Sequence, residues 1–247
     1  MSIEIKGLHK NYAEIALFRD FDITFPDATI TCILGPSGCG KTTLLNTIGN
    51  LSKPDKGSLS GFDHSDISYI FQDPRLLPWK TVKENIQFVL PENIAAEERE
   101  KLAEVFIRIV ELEEFANFYP AKLSGGMRQR VSIARAFAYP SDIILMDEPL
   151  KGLDLKLKLN LIRTFSRIWQ SYKRTVIFVT HDVDEALLLG NEIVVFSQAP
   201  VSIVAREKID SPLSGRSLDS EPLKKLKQKL GLALESAVPE RLKKMKH

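Results

Sequence analysis

An apolar run, Ile30-Thr-Cys-Ile-Leu34, leads into Gly35-Pro36-Ser37-Gly38-Cys39-Gly40-Lys41-Thr42, and a helical pattern, Thr43-Leu-Leu-Asn-Thr-Ile48, begins where the glycines stop. Few stretches constrain a chain more. A strand, a glycine-rich loop and a helix in that order predict an α/β core, and the loop satisfies GxxxxGK[ST], the pattern of a phosphate-binding P-loop. Gly35, Gly38 and Gly40 remove side chains so that successive backbone N–H groups can wrap a phosphate, and the positive end of the helix dipole faces the same point. Lys41 would then reach the outer phosphates of a nucleotide, and Thr42 would offer its hydroxyl to Mg2+. A loop that only turned a corner would need neither residue in that register.

Composition sets the outer limits. The chain has 247 residues and is 44% hydrophobic, enough to bury one large domain or a domain with a subdomain. Lys+Arg number 34 and Asp+Glu 32, a formal +2, so bulk charge gives no reason to expect a nucleic-acid partner. No apolar run approaches the length of a membrane span, and Met1-Ser-Ile-Glu-Ile-Lys6 lacks the regions of a signal peptide, which predicts a chain made and kept in the cytoplasm. The two cysteines, Cys32 and Cys39, share one strand and turn and are not expected to form a disulfide. Cys32 reads as a small core residue. Cys39 lies inside the loop, where bound nucleotide is expected to shield its thiol from alkylation.

Ile3 to Gly7 and Phe21 to Phe25 alternate as half-buried antiparallel strands do, with His9-Lys-Asn-Tyr12 and Arg19-Asp20 assigned to turns. Tyr12 is compatible with stacking on a purine base and equally with packing on a neighbouring loop. Lys53-Pro-Asp-Lys-Gly57 reads as a turn, and Asp66 to Phe71 as a strand that delivers Gln72. A neutral amide at a strand end can attend Mg2+, or simply be solvated. In Pro74-Arg-Leu-Leu-Pro78-Trp79 the prolines leave Leu76, Leu77 and Trp79 on an irregular segment, either folded back as a satellite cluster or forming a docking surface. Thr81 to Phe88 and Ala95 to Phe115 have helical spacing, an insertion with no heptad run for a coiled-coil arm.

Ser124-Gly125-Gly126-Met127 opens another helix, with Ser124 as its N-cap and two glycines that leave the first N–H groups accessible, so it is a second candidate anion site. Beside a P-loop it gains meaning: a nucleotide on Lys41 of one subunit could present its γ-phosphate to Ser124 and Gly126 of another. Ile143-Ile-Leu-Met-Asp147-Glu148 is a buried-type strand ending in two acids, where Asp147 suits the water shell of Mg2+ and Glu148 suits polarisation of an attacking water. A helix from Asp154 to Tyr172 and a strand from Thr175 to Thr180 follow, the strand ending at His181, which could donate a hydrogen bond to γ-phosphate. Asp182 to Leu189 reads as a short helix, and Glu192 to Ser197 and Val201 to Arg206 as terminal strands. After Pro212 the chain turns to Ser, Lys and Leu, with Lys224, Lys225, Lys227 and Lys229 on short helices that present a solvated basic face or meet lipid headgroups or a partner.

This order of motifs resembles the ATP-binding subunits of ABC transporters, over nearly the whole stretch from Ile3 to about Arg206. The resemblance implies a P-loop NTPase core of ABC ATPase type, with an antiparallel β subdomain and an α-helical subdomain at about 73–137. The ATP-binding domain would span 1–210, and 211–247 would be a basic C-terminal tail. It casts Tyr12 as the adenine-stacking aromatic, Gly35 through Thr42 with Thr43 as Walker A, Gln72 as the Q-loop and Leu123 to Met127 as the signature. Asp147 becomes the Walker B aspartate, Glu148 the catalytic glutamate, Asp154 the D-loop aspartate and His181 the switch histidine. Two such subunits would meet head to tail around ATP and Mg2+, the metal attended by Thr42, Gln72 and Asp147. A narrower likeness to importers of nitrate, sulfonates and taurine rests on Phe71-Gln-Asp-Pro-Arg-Leu-Leu-Pro-Trp79, on Val82 to Asn85 and on Leu123-Ser-Gly-Gly-Met-Arg-Gln-Arg130. It implies a peripheral subunit on the cytoplasmic face of the membrane, joined to a separate permease through the loop after Gln72 and served by a solute-binding protein. The alternatives are a soluble ABC-type ATPase of DNA repair or translation, which would typically carry coiled-coil arms, zinc cysteines or fused cassettes, and a P-loop kinase, which would leave Ser124-Gly-Gly unexplained. One departure stands out: Lys151, before Gly152-Leu153-Asp154, takes a place where the family usually has a small residue.

Overall fold

The computed structural model describes residues 2–63 and 67–238. In chain order they form β1 (Ile3–Tyr12), β2 (Ile15–Phe25), β3 (Ile30–Leu34), α1 (Lys41–Ile48), β4 (Lys56–Ser60), β5 (Ile67–Ile70), α2 (Val82–Gln87), α3 (Ala96–Ile109), α4 (Gly125–Ala138), β6 (Ile143–Asp147), α5 (Leu155–Tyr172), β7 (Thr175–Val179), α6 (Val183–Leu189), β8 (Glu192–Phe196), β9 (Ile203–Lys208) and α7 (Glu221–Ser236). Described residues up to 63 and from Arg174 onward make one compact unit, and those between make a second.

In the first unit β7, β3 and β8 run parallel, and β9 returns antiparallel to β8. All five residues of β3, of β7 and of β8 are buried, as expected for parallel strands covered on both faces. The register sets Ile33 beside Val179, so the loop after β3 and the loop after β7 leave from the same edge. Glu192, buried at the start of β8, is held by Arg206 of β9, whose Nε and Nη2 donate at 2.9 and 2.7 Å to its two carboxylate oxygens.

A separate antiparallel sheet has the order β2-β1-β4. Its hairpin turns at Ala13-Glu14, whereas His9 to Tyr12 and Arg19-Asp20, expected in turns, belong to strands. Bulges explain the difference. Pairing slips repeatedly along β1 and β2, and Asp20 takes φ 53 inside its strand, so turn-type residues are accommodated without ending it. The edge strand β4 takes over Lys56 and Gly57, the last two residues of the expected turn at 53–57. Lys-Gly-Ser-Leu-Ser lacks the β-branched residues that announce a strand, yet it pairs with β1, and Gly57 is essential there because a Cβ would lie 2.6 Å from the Gly7 carbonyl oxygen.

The tail departs most from expectation. Its described residues form one 16-residue helix, α7, that packs on α6, β8 and β9 and buries Leu223 and Leu230. Its lysines are largely paired: Lys227 with Asp184 at 2.6 Å, Lys229 with Glu207 at 2.7 Å and Lys224 with Glu221 at 3.7 Å. These lysines remain 49–63% exposed, so the ion pairs sit on a solvated face. Arg216 ties down the approach to the helix by donating to carbonyl oxygens of Leu187, Gly190, Ile209 and Ser211, and burial lowers its guanidinium to a pKa of about 10. Among the described residues, no helix is long and apolar enough to cross a membrane.

In the second unit β5 and β6 run parallel, with Ile70 beside Met146. Asp66, expected to begin β5, lies outside the described residues. Helices α2, α3 and α4 pack on one another, and α4 also meets β5 and α5. Thr81 caps α2 in a reciprocal capping box with Glu84, which fixes that helix after the proline-rich loop.

Replacing Leu230 with Ala separates a docked helix from a solvated tail. A docked helix predicts a loss of about 2–5 kcal/mol from the buried side chain, seen as a lower midpoint in urea unfolding, while a solvated tail predicts no shift.

Candidate functional site

The first unit presents the loop between β3 and α1. Gly40 caps α1 with a left-handed backbone, φ 105, and a Cβ there would press on Leu17 and Phe18 at 3.1 Å. No side chain caps α1 and no acid occupies its first turn, whereas α2, α4, α5 and α6 all have side-chain caps. Its leading N–H groups therefore remain available to an anion. Lys41 is only 6% exposed. Among the described residues its ammonium donates to the carbonyl oxygens of Gly35 at 2.7 Å and Pro36 at 2.9 Å and touches the Cys39 sulfur at 3.8 Å. All three partners are neutral. A buried cation in neutral company beside an uncapped helix start suits a polyanion, so the donor set fits a nucleotide's phosphates.

Cys39 has a different role from the one its position suggests. Its side chain is buried, and its Sγ would lie 2.9 Å from a Cβ at Gly35, so it fills the inside of the loop. Only its backbone is suited to phosphate. Burial raises the thiol above its ordinary range, with Lys41 opposing more weakly. The expected nucleotide-dependent shielding therefore gives way to permanent shielding.

His181 follows β7 on the edge that carries the loop. It is exposed, and a local network fixes the chain around it. Thr180 Oγ1 donates to Glu185 at 2.5 Å, Asp182 N donates to Thr180 Oγ1 at 3.1 Å, and Asp182 caps α6 through the N–H groups of Asp184 and Glu185. Tyr12 ends β1 with half its surface exposed, and Lys10 Nζ lies 5.6 Å from its ring centroid. The ring is accessible to a flat partner.

In the second unit the β5–β6 register releases Gln72 and the pair Asp147-Glu148 from neighbouring strand ends. Gln72 is exposed, while Asp147 and Glu148 are partly buried. Asp147 makes its charge felt locally: the Tyr69 phenol is pushed up, first by burial and then by this carboxylate. Glu148 takes φ 43, a left-handed backbone uncommon for a residue with a side chain. Lys151 Nζ stands 2.6 Å from Glu148 Oε2, a charge contact without an aligned hydrogen bond.

Ser124 caps α4, accepting from Met127 N at 3.3 Å, and is exposed beside an exposed Gly125. The adjacent glycine works differently. Gly126 is buried, and a Cβ on it would lie 2.0 Å from Leu157 Cδ2 on α5. Asp154 caps α5 through Leu157 N at 3.0 Å.

The ABC transporter family matches residues 18–151, over half of the chain. The chain belongs to the ABC transporter family. An ABC transporter ATP-binding protein of Methanocaldococcus jannaschii is 45% identical over 72% of this chain and 69% of its own length. The aliphatic sulfonates import ATP-binding protein of Zymomonas mobilis is 36% identical over 82% of this chain and 85% of its own. Its counterpart in Paraburkholderia xenovorans is 37% identical over 82% of this chain, which spans 59% of that relative's length. A dimeric ABC transporter cassette superposes with a TM-score of 0.74 at 32% identity, covering 85% of this chain and 99% of the cassette. The same kind of cassette, dimeric in a post-hydrolysis state with ADP and Pi, gives 0.73 at 31% identity over the same shares.

One organising residue of this ABC ATPase stands at the end of the Val82 to Asn85 stretch, where the sequence assigns it no role of its own. Asn85, fully buried on α2, accepts from Leu77 N at 2.9 Å and donates to the carbonyl oxygens of Leu77, Lys80 and Thr81 at 3.2, 2.9 and 2.9 Å. It anchors the loop that leaves Leu76 and Leu77 half-buried and Trp79 69% exposed. Arg75 stacks its guanidinium 3.7 Å above the Phe71 ring on the way into that loop. The available signal was an asparagine on the apolar face of a short helix.

Two tests follow from this packing. A thiol reagent should leave Cys32 and Cys39 unmodified in the native chain with or without MgATP and label both after unfolding. Gly126→Ala should cost about 1–3 kcal/mol by overpacking, and Leu157→Ala in the same chain should recover part of that loss. Thermal unfolding of the single and double variants measures the coupling.

Proposed function

We propose that this ABC ATPase binds and hydrolyses ATP to drive import of a small oxyanion, of the sulfonate, taurine or nitrate kind, through a separate membrane permease. The observation that carries the proposal is the Lys41 ammonium, buried among neutral acceptors at an uncapped helix start. Ser37, Gly38, Cys39, Gly40 and Thr43 offer backbone N–H groups to the phosphates, Gly35 and Pro36 shape the loop and hold Lys41 through their carbonyl oxygens, and Tyr12 stacks on the base. Lys41 and His181 stabilise charge on the outer phosphate, and Glu148 takes a proton from the attacking water. Thr42, Gln72 and Asp147 attend Mg2+, which when bound supplies positive charge to the phosphate oxygens. Among the described residues no group of three or more His, Cys, Asp or Glu could hold a metal. A magnesium ion here accordingly draws most of its oxygens from phosphate and water, as that ion commonly does.

Ser124, Gly125 and Gly126 serve the nucleotide of a second copy, a reading supported by the dimeric cassettes that this chain resembles. The exposed Trp79 and its anchored loop are the proposed seat for the permease, with a solute-binding protein acting at one remove. The chain would then lie on the cytoplasmic face of the membrane as a peripheral subunit. Importer direction and solute class are supported by the aliphatic sulfonates relatives and by a sulfate/thiosulfate import protein of Mannheimia succiniciproducens, 36% identical over 86% of this chain and 62% of its own length.

Glu148→Gln should bind ATP normally, lose turnover by at least about 100-fold as expected for loss of a general base, and accumulate as an ATP-dependent dimer in size-exclusion chromatography. Unchanged steady-state hydrolysis would refute the assignment of Glu148. Co-purification of the full chain with a membrane permease tests the transport role.

A further inference from the structure

His181 is exposed, so its place depends on the backbone that carries it. One side chain pins that backbone. Thr180 is 1% exposed, and its N–H donates to Ile33 O at 3.2 Å, which ties the end of β7 to the end of β3. Two residues after Ile33 comes Gly35, whose carbonyl oxygen receives the Lys41 ammonium. The Thr180 hydroxyl works in two directions. It donates to Glu185 Oε2 at 2.5 Å and accepts from Asp182 N at 3.1 Å, so it holds the peptide that follows His181. Glu185, on α6, is 3% exposed. A carboxyl group buried there costs more than an apolar side chain of its size. What it supplies is an acceptor that fixes the hydroxyl hydrogen and so turns a lone pair toward the Asp182 N–H.

We propose that Thr180, oriented by Glu185, is a positioning residue that sets His181 against the Lys41 loop and thereby governs ATP turnover from a buried place. The inference rests on the reading of His181 as a donor to the outer phosphate. Valine matches threonine in shape but can neither donate nor accept. The bond from Thr180 N to Ile33 O and the Asp182 cap of α6 do not use the hydroxyl, so the change falls on the peptide after His181. The grip of the loop on Lys41 does not pass through the hydroxyl either. ADP has no outer phosphate for His181 to meet. Binding of the diphosphate and turnover of the triphosphate therefore separate.

The test uses the full chain, with MgATP turnover and ADP affinity measured for the parent, Thr180→Val, Thr180→Ser, His181→Ala and the Thr180→Val, His181→Ala double variant. Thr180→Val should lower kcat roughly ten- to a hundred-fold, since misplacing a group by about 1 Å costs rate on that scale. Its Kd for ADP should stay within about twofold of the parent, because uniform binding is untouched. Thr180→Ser, which keeps the hydroxyl, should recover most of the lost kcat. With His181 already removed, Thr180→Val should slow turnover no further, as expected of two residues acting as one unit. Parental kcat in Thr180→Val, no rescue by serine, an equal loss in the His181→Ala background, or ADP affinity falling with turnover would each overturn the proposal. Parental turnover in His181→Ala would instead sink the reading of His181, and the proposal with it. If Thr180→Val does not fold, Thr180→Cys, whose thiol is a weak donor and acceptor, replaces it in every arm.

Discussion

A positive charge taken almost out of water is the constraint on which the first unit depends. Lys41 is held at 6% exposure by two carbonyl oxygens and a thiol, none of which can neutralise it. An uncompensated buried cation is expensive unless several features converge to hold it. They do so here: β3 is buried throughout and leads into the loop at the sheet edge, Cys39 fills the loop from within, and Gly40 lets the backbone turn into α1 against Leu17 and Phe18. The absence of a side-chain cap on α1 completes the arrangement, because a capping carboxylate would cancel the field that the lysine and helix jointly make.

Parallel strand pairing supplies the second ordering principle, and each unit uses it separately. Parallel neighbours end side by side, so groups placed just past their carboxyl ends are gathered by register alone. In one unit this joins the edge bearing Lys41 to that bearing His181, and in the other it joins Gln72 to Asp147 and Glu148. Helix caps then steady the emerging chain: Asp182 before α6 and Asp154 before α5. The polar side chains can sit on short connections because the strands behind them are nearly all apolar and buried.

The parts legible from residue order are those governed by local rules. Apolar runs announced β3, β6, β7 and β8, the Gly-Lys-Thr register announced the loop, and Ser124, Asp154 and Asp182 announced helix starts. The parts that were not legible depend on partners distant in sequence. Polar β4 becomes a strand because β1 offers it a ladder. Basic α7 docks because Leu223 and Leu230 find α6, β8 and β9 while Asp184 and Glu207 receive its lysines. Asn85 ends the quoted Val82 to Asn85 stretch without showing its role there, which lies in the hydrogen bonds it makes to three carbonyl oxygens and one N–H of the preceding segment. Gly126 could be read as an open anion site, but Leu157 on another helix decides what its missing side chain makes room for.

Lys151 combines both kinds of information. Its oddity was visible in sequence, but its consequence was not, since three residues of separation in a turn say nothing about where two long side chains end. Leu150 and Gly152 carry the structural load of that turn, the first by burial and the second by its backbone, so position 151 is released from any packing duty. A residue with its backbone fixed and its side chain half in solvent can change charge at little cost to folding. Lys41 is the opposite case, a cation whose placement involves the loop, the strand and the helix together. The protein thus holds one lysine that its fold is built around and another that its fold merely positions.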